Sequence, residues 1–256
     1  MRLFVALIGL LSVPLVAQVS GNVTSRVFEI RTVPPKGTAS AFVVDYAAQQ
    51  YIITANHVVE GLGDHGRIEL LINSVWEAFD VRIAHGKRTC IDVAALLQTR
   101  QKITNAEALP WIDTFFVAQE AYFLGFPYGL SMHAANMHLT IPLIKHGYIS
   151  GVLPCSLFYP DAAATDETII LDGINNLGFS GGPVVIHDPN APDKALKVTG
   201  IVSGFKGEKQ PVMVGGRASE GSVQTNTGLI EVVPFNYAIE LMKELQKPKA
   251  PETKKK

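Results

Sequence analysis

The residues with a capacity for chemistry sit in three short runs. The most demanding of these is Asn176-Leu177-Gly178-Phe179-Ser180-Gly181-Gly182-Pro183-Val184-Val185. A serine framed by glycines can stand on a sharp turn, because glycine accepts positive φ and lets backbone approach closely. The N–H groups of Gly178 and Ser180 can then converge on one point and stabilise an oxyanion. Pro183 fixes φ and ends the turn, and Val184-Val185-Ile186 reads as a buried strand. The same glycines also suit an ordinary hairpin loop with a solvated serine. The choice turns on whether the chain supplies a base for the hydroxyl and a group to orient that base.

Two upstream runs supply both. Tyr51-Ile52-Ile53-Thr54-Ala55-Asn56-His57-Val58-Val59 brings a histidine to the end of an apolar β-type run. Cys90-Ile91-Asp92-Val93-Ala94-Ala95-Leu96-Leu97 sets an aspartate at the head of another. Asp80 and Asp113 are alternative orienting groups, although neither heads an apolar run of that kind. His65, His85, His146 and His187 are expected on solvated turns. His133 and His138, five positions apart, do not form a metal pair on one helix face.

Taken in order, Thr54-Ala55-Asn56-His57, Asp92-Val93-Ala94-Ala95 and Gly178-Phe179-Ser180-Gly181-Gly182-Pro183 resemble the trypsin-like (chymotrypsin-fold) serine proteases. Within them the chain is most similar to the bacterial secreted and periplasmic branch, which includes the high-temperature-requirement type. The resemblance implies an all-β fold: two packed antiparallel six-stranded β-barrels with the site between them, and a C-terminal α-helix on the second barrel. It implies that Ser180 Oγ attacks a carbonyl, His57 carries the proton, and Asp92 fixes the imidazole tautomer. It implies Gly178 and Ser180 as the oxyanion hole, a polypeptide substrate, and no metal or organic cofactor. By the same resemblance Ile174 stands at the base of the specificity pocket. An apolar base offers nothing to Lys or Arg, so an uncharged, apolar residue is expected before the cleaved bond. Ser203-Gly204-Phe205 forms the pocket wall and can pair with substrate backbone.

Two positions depart from the family pattern. Phe179 stands where Asn or Asp usually precedes the nucleophile, and Val58 stands where many secreted members carry a cysteine. Cys90 and Cys155 can form at most one bridge, and as a default they read as small buried hydrophobes. Two other readings remain open. One is a catalytically silent trypsin-like domain used for binding or assembly. The other is an esterase elbow of Gly-x-Ser-x-Gly type, which needs strand–helix alternation and a histidine after the serine, where only His187 remains.

The elements that must position these residues can be read from the rest of the chain. The chain has 256 residues, 47% hydrophobic and 18% charged, which describes a globular protein with room for two lobes. A formal net charge of −1 gives no reason to expect a nucleic-acid partner. Residues 1–17 read as a secretory signal peptide: Arg2, then an apolar core from Leu3 to Val16, then Leu15-Val16-Ala17 as a cleavage site. That core is shorter than the roughly 20 residues of a spanning helix, so no stable membrane insertion is expected after cleavage. Export to the periplasm or the medium follows from this reading.

From Arg26 to Asp113, short alternating runs separated by turn signals predict strands at Val27–Arg31, Ala41–Val44, Tyr51–Thr54, Ile68–Ile72, Ala78–Ala84 and after Asp92, with a Gln-rich turn before Tyr51. The second half predicts strands at Ala121–Gly125, Lys145–Val152, Thr168–Leu171, Val184–Ile186, Ala195–Phe205 and Leu229–Pro234. Phe235, Ala238, Ile239, Met242 and Leu245 carry the spacing of an amphipathic helix. The expected division is residues 18–116 and 117–233 for the two barrels, 234–247 for the helix and 248–256 for a charged, disordered tail, with no peptide-binding regulatory domain after the catalytic unit.

Overall fold

The strands Ala39–Tyr46, Gln49–Thr54, Ala94–Leu97, Glu120–Gly125 and Pro183–His187 are buried on both faces, and the period of two explains why. In the computed structural model, which describes residues 19–35, 37–98, 102–133, 140–191 and 195–247, alternate residues of one strand enter different cores. Six strands close the first barrel: β1 (Val27–Thr32), β2 (Ala39–Tyr46), β3 (Gln49–Thr54), β4 (His65–Ile72), β5 (Val75–His85) and β6 (Ala94–Leu97). Ala41, Val43, Ile52, Ala94 and Leu96 fill its interior. Their neighbours Phe42, Val44, Tyr51, Ile53, Ala95 and Leu97 point outward into a core shared with the second barrel. Burying both faces is what makes these strands read as continuous apolar runs.

The second barrel closes from β7 (Glu120–Gly125), β10 (Leu143–Pro154), β11 (Glu167–Asp172), β12 (Pro183–His187), β13 (Leu196–Val214) and β14 (Arg217–Pro234), with a two-residue pairing of β8 (Met132–His133) and β9 (Thr140–Ile141) beside it. Phe123, Val184 and Ile186 face its interior, while Tyr122, Leu124 and Val185 face the shared core. The chain thus has the expected all-β architecture of two six-stranded antiparallel barrels. A single-turn helix α1 (Gly21–Thr24) precedes β1, and another, α2 (Asn56–Val59), follows β3. Among the described residues no helix is long and apolar enough to cross a membrane. Residues 1–17, read above as a signal peptide, and the charged tail lie outside the described residues.

Several expectations are corrected by the three-dimensional arrangement. The C-terminal helix α3 (Phe235–Gln246) forms as read, but it does not sit on the second barrel alone. It leaves β14 and crosses to β5 and β6, burying Phe235, Tyr237, Ala238, Leu241, Met242 and Leu245 in the shared core. Arg88 bonded to Glu240 at 2.9 Å reinforces the crossing. The turn between β2 and β3 is Ala47-Ala48, both at positive φ, and the two glutamines begin β3. His65, His85, His146 and His187 lie in strands β4, β5, β10 and β12 rather than on turns.

Cys90 and Cys155 are not separate buried thiols; they form a disulfide. It ties the β5–β6 loop of the first barrel to the turn after β10 of the second, two residues from Asp92. The half-cystines are 65 residues apart in sequence. A cross-link of that span removes enough unfolded-chain entropy to stabilise the fold by about 4 kcal/mol. The Cys90→Ala, Cys155→Ala double variant is therefore expected to lose about that much in a guanidinium titration. A loss below about 1 kcal/mol contradicts this account.

The largest surprise is the length of β13 and β14. The sequence signal ends β13 at Phe205 and begins β14 at Leu229, yet the two strands continue as a paired ribbon to a turn at Gly215-Gly216. Its distal residues, 207–224, are exposed on both faces. Apolar alternation reports a buried face, and this ribbon has none.

Candidate active site

The three chemical runs meet in the cleft between the barrels. β3 ends at Thr54, and α2 turns His57 out over the cleft, leaving its side chain half-exposed. His85 Nδ1 meets Asn56 Oδ1 at 2.8 Å and so holds the residue just before it. Asp92 sits at the mouth of β6, largely buried. His57 Nδ1 lies 2.7 Å from Asp92 Oδ2, and the His57 backbone N–H donates to Asp92 Oδ1 at 2.8 Å. Ser203 Oγ adds a third bond, to Asp92 Oδ2, at 2.7 Å. Of the candidate orienting groups, it is Asp92 that meets the imidazole.

This geometry fixes the proton positions. Burial by itself raises the Asp92 pKa, but the bonds from His57 and Ser203 together outweigh it and hold the carboxylate below its usual range. An ionised carboxylate only accepts, so His57 Nδ1 carries the proton and Nε2 keeps a free lone pair. The bond to Asp92 likewise raises the His57 pKa, against a smaller opposing effect of burial.

Ser180 and His57 line one cavity of about 430 Å³, together with Thr38, Ala39, Val58, Tyr128, Leu177 and Gly178. Ser180 Oγ donates to the Ser203 carbonyl at 3.1 Å. The expected hand-over of its proton to His57 thus requires a rotation of the hydroxyl away from that carbonyl. Such bonds commonly form only once substrate is bound.

The turn around Ser180 is anchored through its carbonyls. Leu177 O accepts from Tyr128 N at 2.8 Å and Phe179 O accepts from Gly182 N at 2.9 Å. In a planar trans peptide the N–H points opposite the C=O, so these two bonds aim the Gly178 and Ser180 N–H groups the other way. Among the described residues neither N–H meets an acceptor. Gly178 adopts φ +105°, and a Cβ there would collide with the Phe126 carbonyl. The two amides named from the sequence thus have no acceptor among the described residues.

Ser40 clamps this turn from the other barrel, and sequence reading did not find it. Fully buried in β2, it donates through Oγ to Gly178 O at 2.6 Å and through its backbone N–H to Ser180 O at 2.9 Å. Its Oγ accepts from Phe126 N at 2.9 Å. Thr54 Oγ1 in turn donates to Ser40 O at 2.8 Å. A serine in a strand carries no local signal for such a role. Ser40→Ala leaves Gly178 O and Phe126 N buried without partners, at about 1–3 kcal/mol each. If the clamp also keeps the amide pair aimed, kcat falls by about 100-fold with KM little changed, as expected for loss of one oxyanion donor. A destabilised variant with unaltered kcat would reduce Ser40 to a structural role.

Phe179, the departure beside the nucleophile, is fully buried and packs edge-on to Phe123 at 5.1 Å between ring centres. Apolar burial thus anchors the turn at the position where the family pattern carries Asn or Asp. Lys145 was also missed: its Nζ donates to Ile174 O at 2.7 Å and to Asn176 Oδ1, bracing the approach to the turn. Ile174 itself is 54% exposed, so it is not the buried base of a pocket. The apolar-base argument for substrate preference falls with it. Ser203 acts on both sides, through its hydroxyl on Asp92 and its carbonyl on Ser180. Gly204 and Phe205 follow it along β13. Among the described residues no cluster of His, Cys, Asp and Glu could hold a metal ion.

Two six-stranded barrels with a helix at the C-terminus, and a Ser–His–Asp constellation in the cleft between them, define the chymotrypsin-like fold of serine proteases. Solved structures agree. Two structures of the HtrA-type protease AlgW with tripeptide are similar to this chain at TM-score 0.59 and 19% identity, over 88% of this chain and 61% of AlgW. The chain thus spans less than two thirds of the AlgW chain it matches. Rv3671c from M. tuberculosis H37Rv, in an inactive serine-to-alanine mutant form, is similar at TM-score 0.54 and 15% identity, over 89% of this chain and 91% of that one. No family model and no curated protein matches the sequence.

Proposed function

We propose that the chain is a serine endopeptidase that hydrolyses peptide bonds. Ser180 is the nucleophile, His57 the general base and then acid, Asp92 the orienting group, and the Gly178 and Ser180 amides the oxyanion hole. The observation that carries the reading is a carboxylate-held imidazole and a serine lining one cavity, beside two N–H groups without an acceptor among the described residues. A silent binding domain has no use for that set of groups. The esterase alternative fails on its fold, because strand–helix alternation is absent from the described residues.

Export to the periplasm or beyond belongs to the same proposal. Residues 1–17 have the composition of a signal peptide, and a Cys90–Cys155 bond persists in oxidising compartments. A polypeptide is the proposed substrate.

The direct test is a fluorophosphonate probe, which reacts only with an activated serine. The purified chain is expected to take one label, on the peptide containing Ser180, and the Ser180→Ala and His57→Ala variants none. A folded wild-type chain that stays unlabelled would overturn the reading in favour of a binding module.

A further inference from the structure

The edge of β13 that starts at the nucleophile does not stop where the barrel ends. β12 pairs with β13 from Leu196 to Ile201, Val202 still exchanges backbone bonds with Gly181 and Gly182, and past Val202 β13 pairs with β14 alone. Which of its backbone groups face the open side follows from four bonds. Ser203 O accepts from Ser180 Oγ and so faces the open side. The carbonyls of Gly204, Lys206 and Glu208 accept instead from Asn175 Nδ2 at 3.2 Å, Thr227 Oγ1 at 2.7 Å and Thr225 Oγ1 at 3.2 Å, all on the inner side. Backbone groups alternate sides along a strand, so Phe205, Gly207 and Lys209 present their N–H and C=O outward with Ser203. The next outward position is Pro211, which has no N–H to offer and closes the edge. The open ladder therefore runs from Ser203 to Lys209, about 20 Å at the rise of a strand.

The side of the scissile bond that would use this edge is set by the site. His57 passes its proton to the leaving amine, so the chain after the cleaved bond departs past His57, into the cavity lined by Thr38, Ala39, Val58 and Leu177. The chain before the cleaved bond must run the other way, from Ser180 along Ser203.

We infer that the projecting ribbon is an extended docking edge for substrate: an unfolded polypeptide adds to β13 as a third strand. Counting back from the cleaved bond, its first, third, fifth and seventh residues pair with Ser203, Phe205, Gly207 and Lys209. This rests on the protease reading and goes beyond it in naming the substrate class, a chain unfolded for at least seven residues before the cut. A two-stranded ribbon exposed on both faces is marginal in water, and a third strand is what such a ribbon lacks. Lys206 fixes its base: Nζ pairs with Glu231 and lies 4.0 Å from the centre of the Phe158 ring.

The test uses the full chain carrying Ser180→Ala, with reduced, carboxymethylated α-lactalbumin as a permanently unfolded probe and amide exchange as the readout. Slowed exchange at Gly207 and Lys209, with no change beyond Pro211, is the expected result. A second variant replaces residues 208–225 by Asn-Gly, and probe affinity is expected to fall at least tenfold. Unchanged exchange at Gly207 and Lys209 with bound probe, or unchanged affinity in the shortened variant, overturns the inference. So does a dimer that dissociates when the ribbon is shortened, because the edge then serves a second copy. Fluorophosphonate labelling of the wild type reports on the protease reading separately: a labelled chain with an unprotected ribbon loses only the docking edge, and an unlabelled chain with a protected one loses only the catalysis.

Discussion

Ser180→Ala is expected to lower kcat by about a million-fold, the loss typical of a serine nucleophile whose base is already in place. Its hydroxyl stands on the Gly178–Gly182 turn and shares the cavity with the carboxylate-held His57. The loss should not be total. The Gly178 and Ser180 amides are backbone groups held by Tyr128, Gly182 and Ser40, and the substitution leaves those bonds intact. A residual acceleration of about 1,000- to 10,000-fold over uncatalysed hydrolysis is expected from such a hole with binding. Cleavage of an unfolded protein, followed by mass spectrometry, measures both quantities. A variant that cleaves within tenfold of wild type would place the nucleophile elsewhere.

Asp92→Asn is expected to lower kcat by about 10,000-fold while preserving the fold. The bonds around this side chain say why. The His57 backbone N–H donates to Oδ1, so the carboxamide oxygen of an asparagine must take that position. Its NH2 group then replaces Oδ2, facing His57 Nδ1. Nδ1 becomes an acceptor, the proton moves to Nε2, and the imidazole turns a donor instead of a base toward Ser180. The pH profile gives an independent readout. Neutral His57 is required, so kcat/KM rises as pH passes through its pKa. The bond to Asp92 raises that pKa, which puts the acid limb of the wild type above pH 6.5, the ordinary value for histidine. Removing the carboxylate charge removes the cause, and the limb of any residual activity shifts to lower pH. A variant with full kcat, or with its limb unmoved, contradicts the role given to Asp92.

Much of this protein is legible in its sequence, for a physical reason that particular residues show. His57, Asp92 and Ser180 each stand at the end or the head of a run whose apolar pattern comes from burial, and burial is what the pattern records. The β2–β3 hairpin, the strand after Asp92 and the helix Phe235–Gln246 were legible for the same reason. Tertiary structure alone decided the rest, because those features depend on contacts between distant segments or on the absence of a buried face. Ser40 meets Gly178 across 138 positions, Cys90 meets Cys155 across 65, and Ser203 meets Asp92 across 111. No local pattern encodes such meetings. Ile174 lies at the surface, where its carbonyl accepts from Lys145 Nζ on β10, a meeting across 29 positions. The β13–β14 ribbon, exposed on both faces, leaves no apolar period to read, so its open edge becomes visible only once the strands are paired.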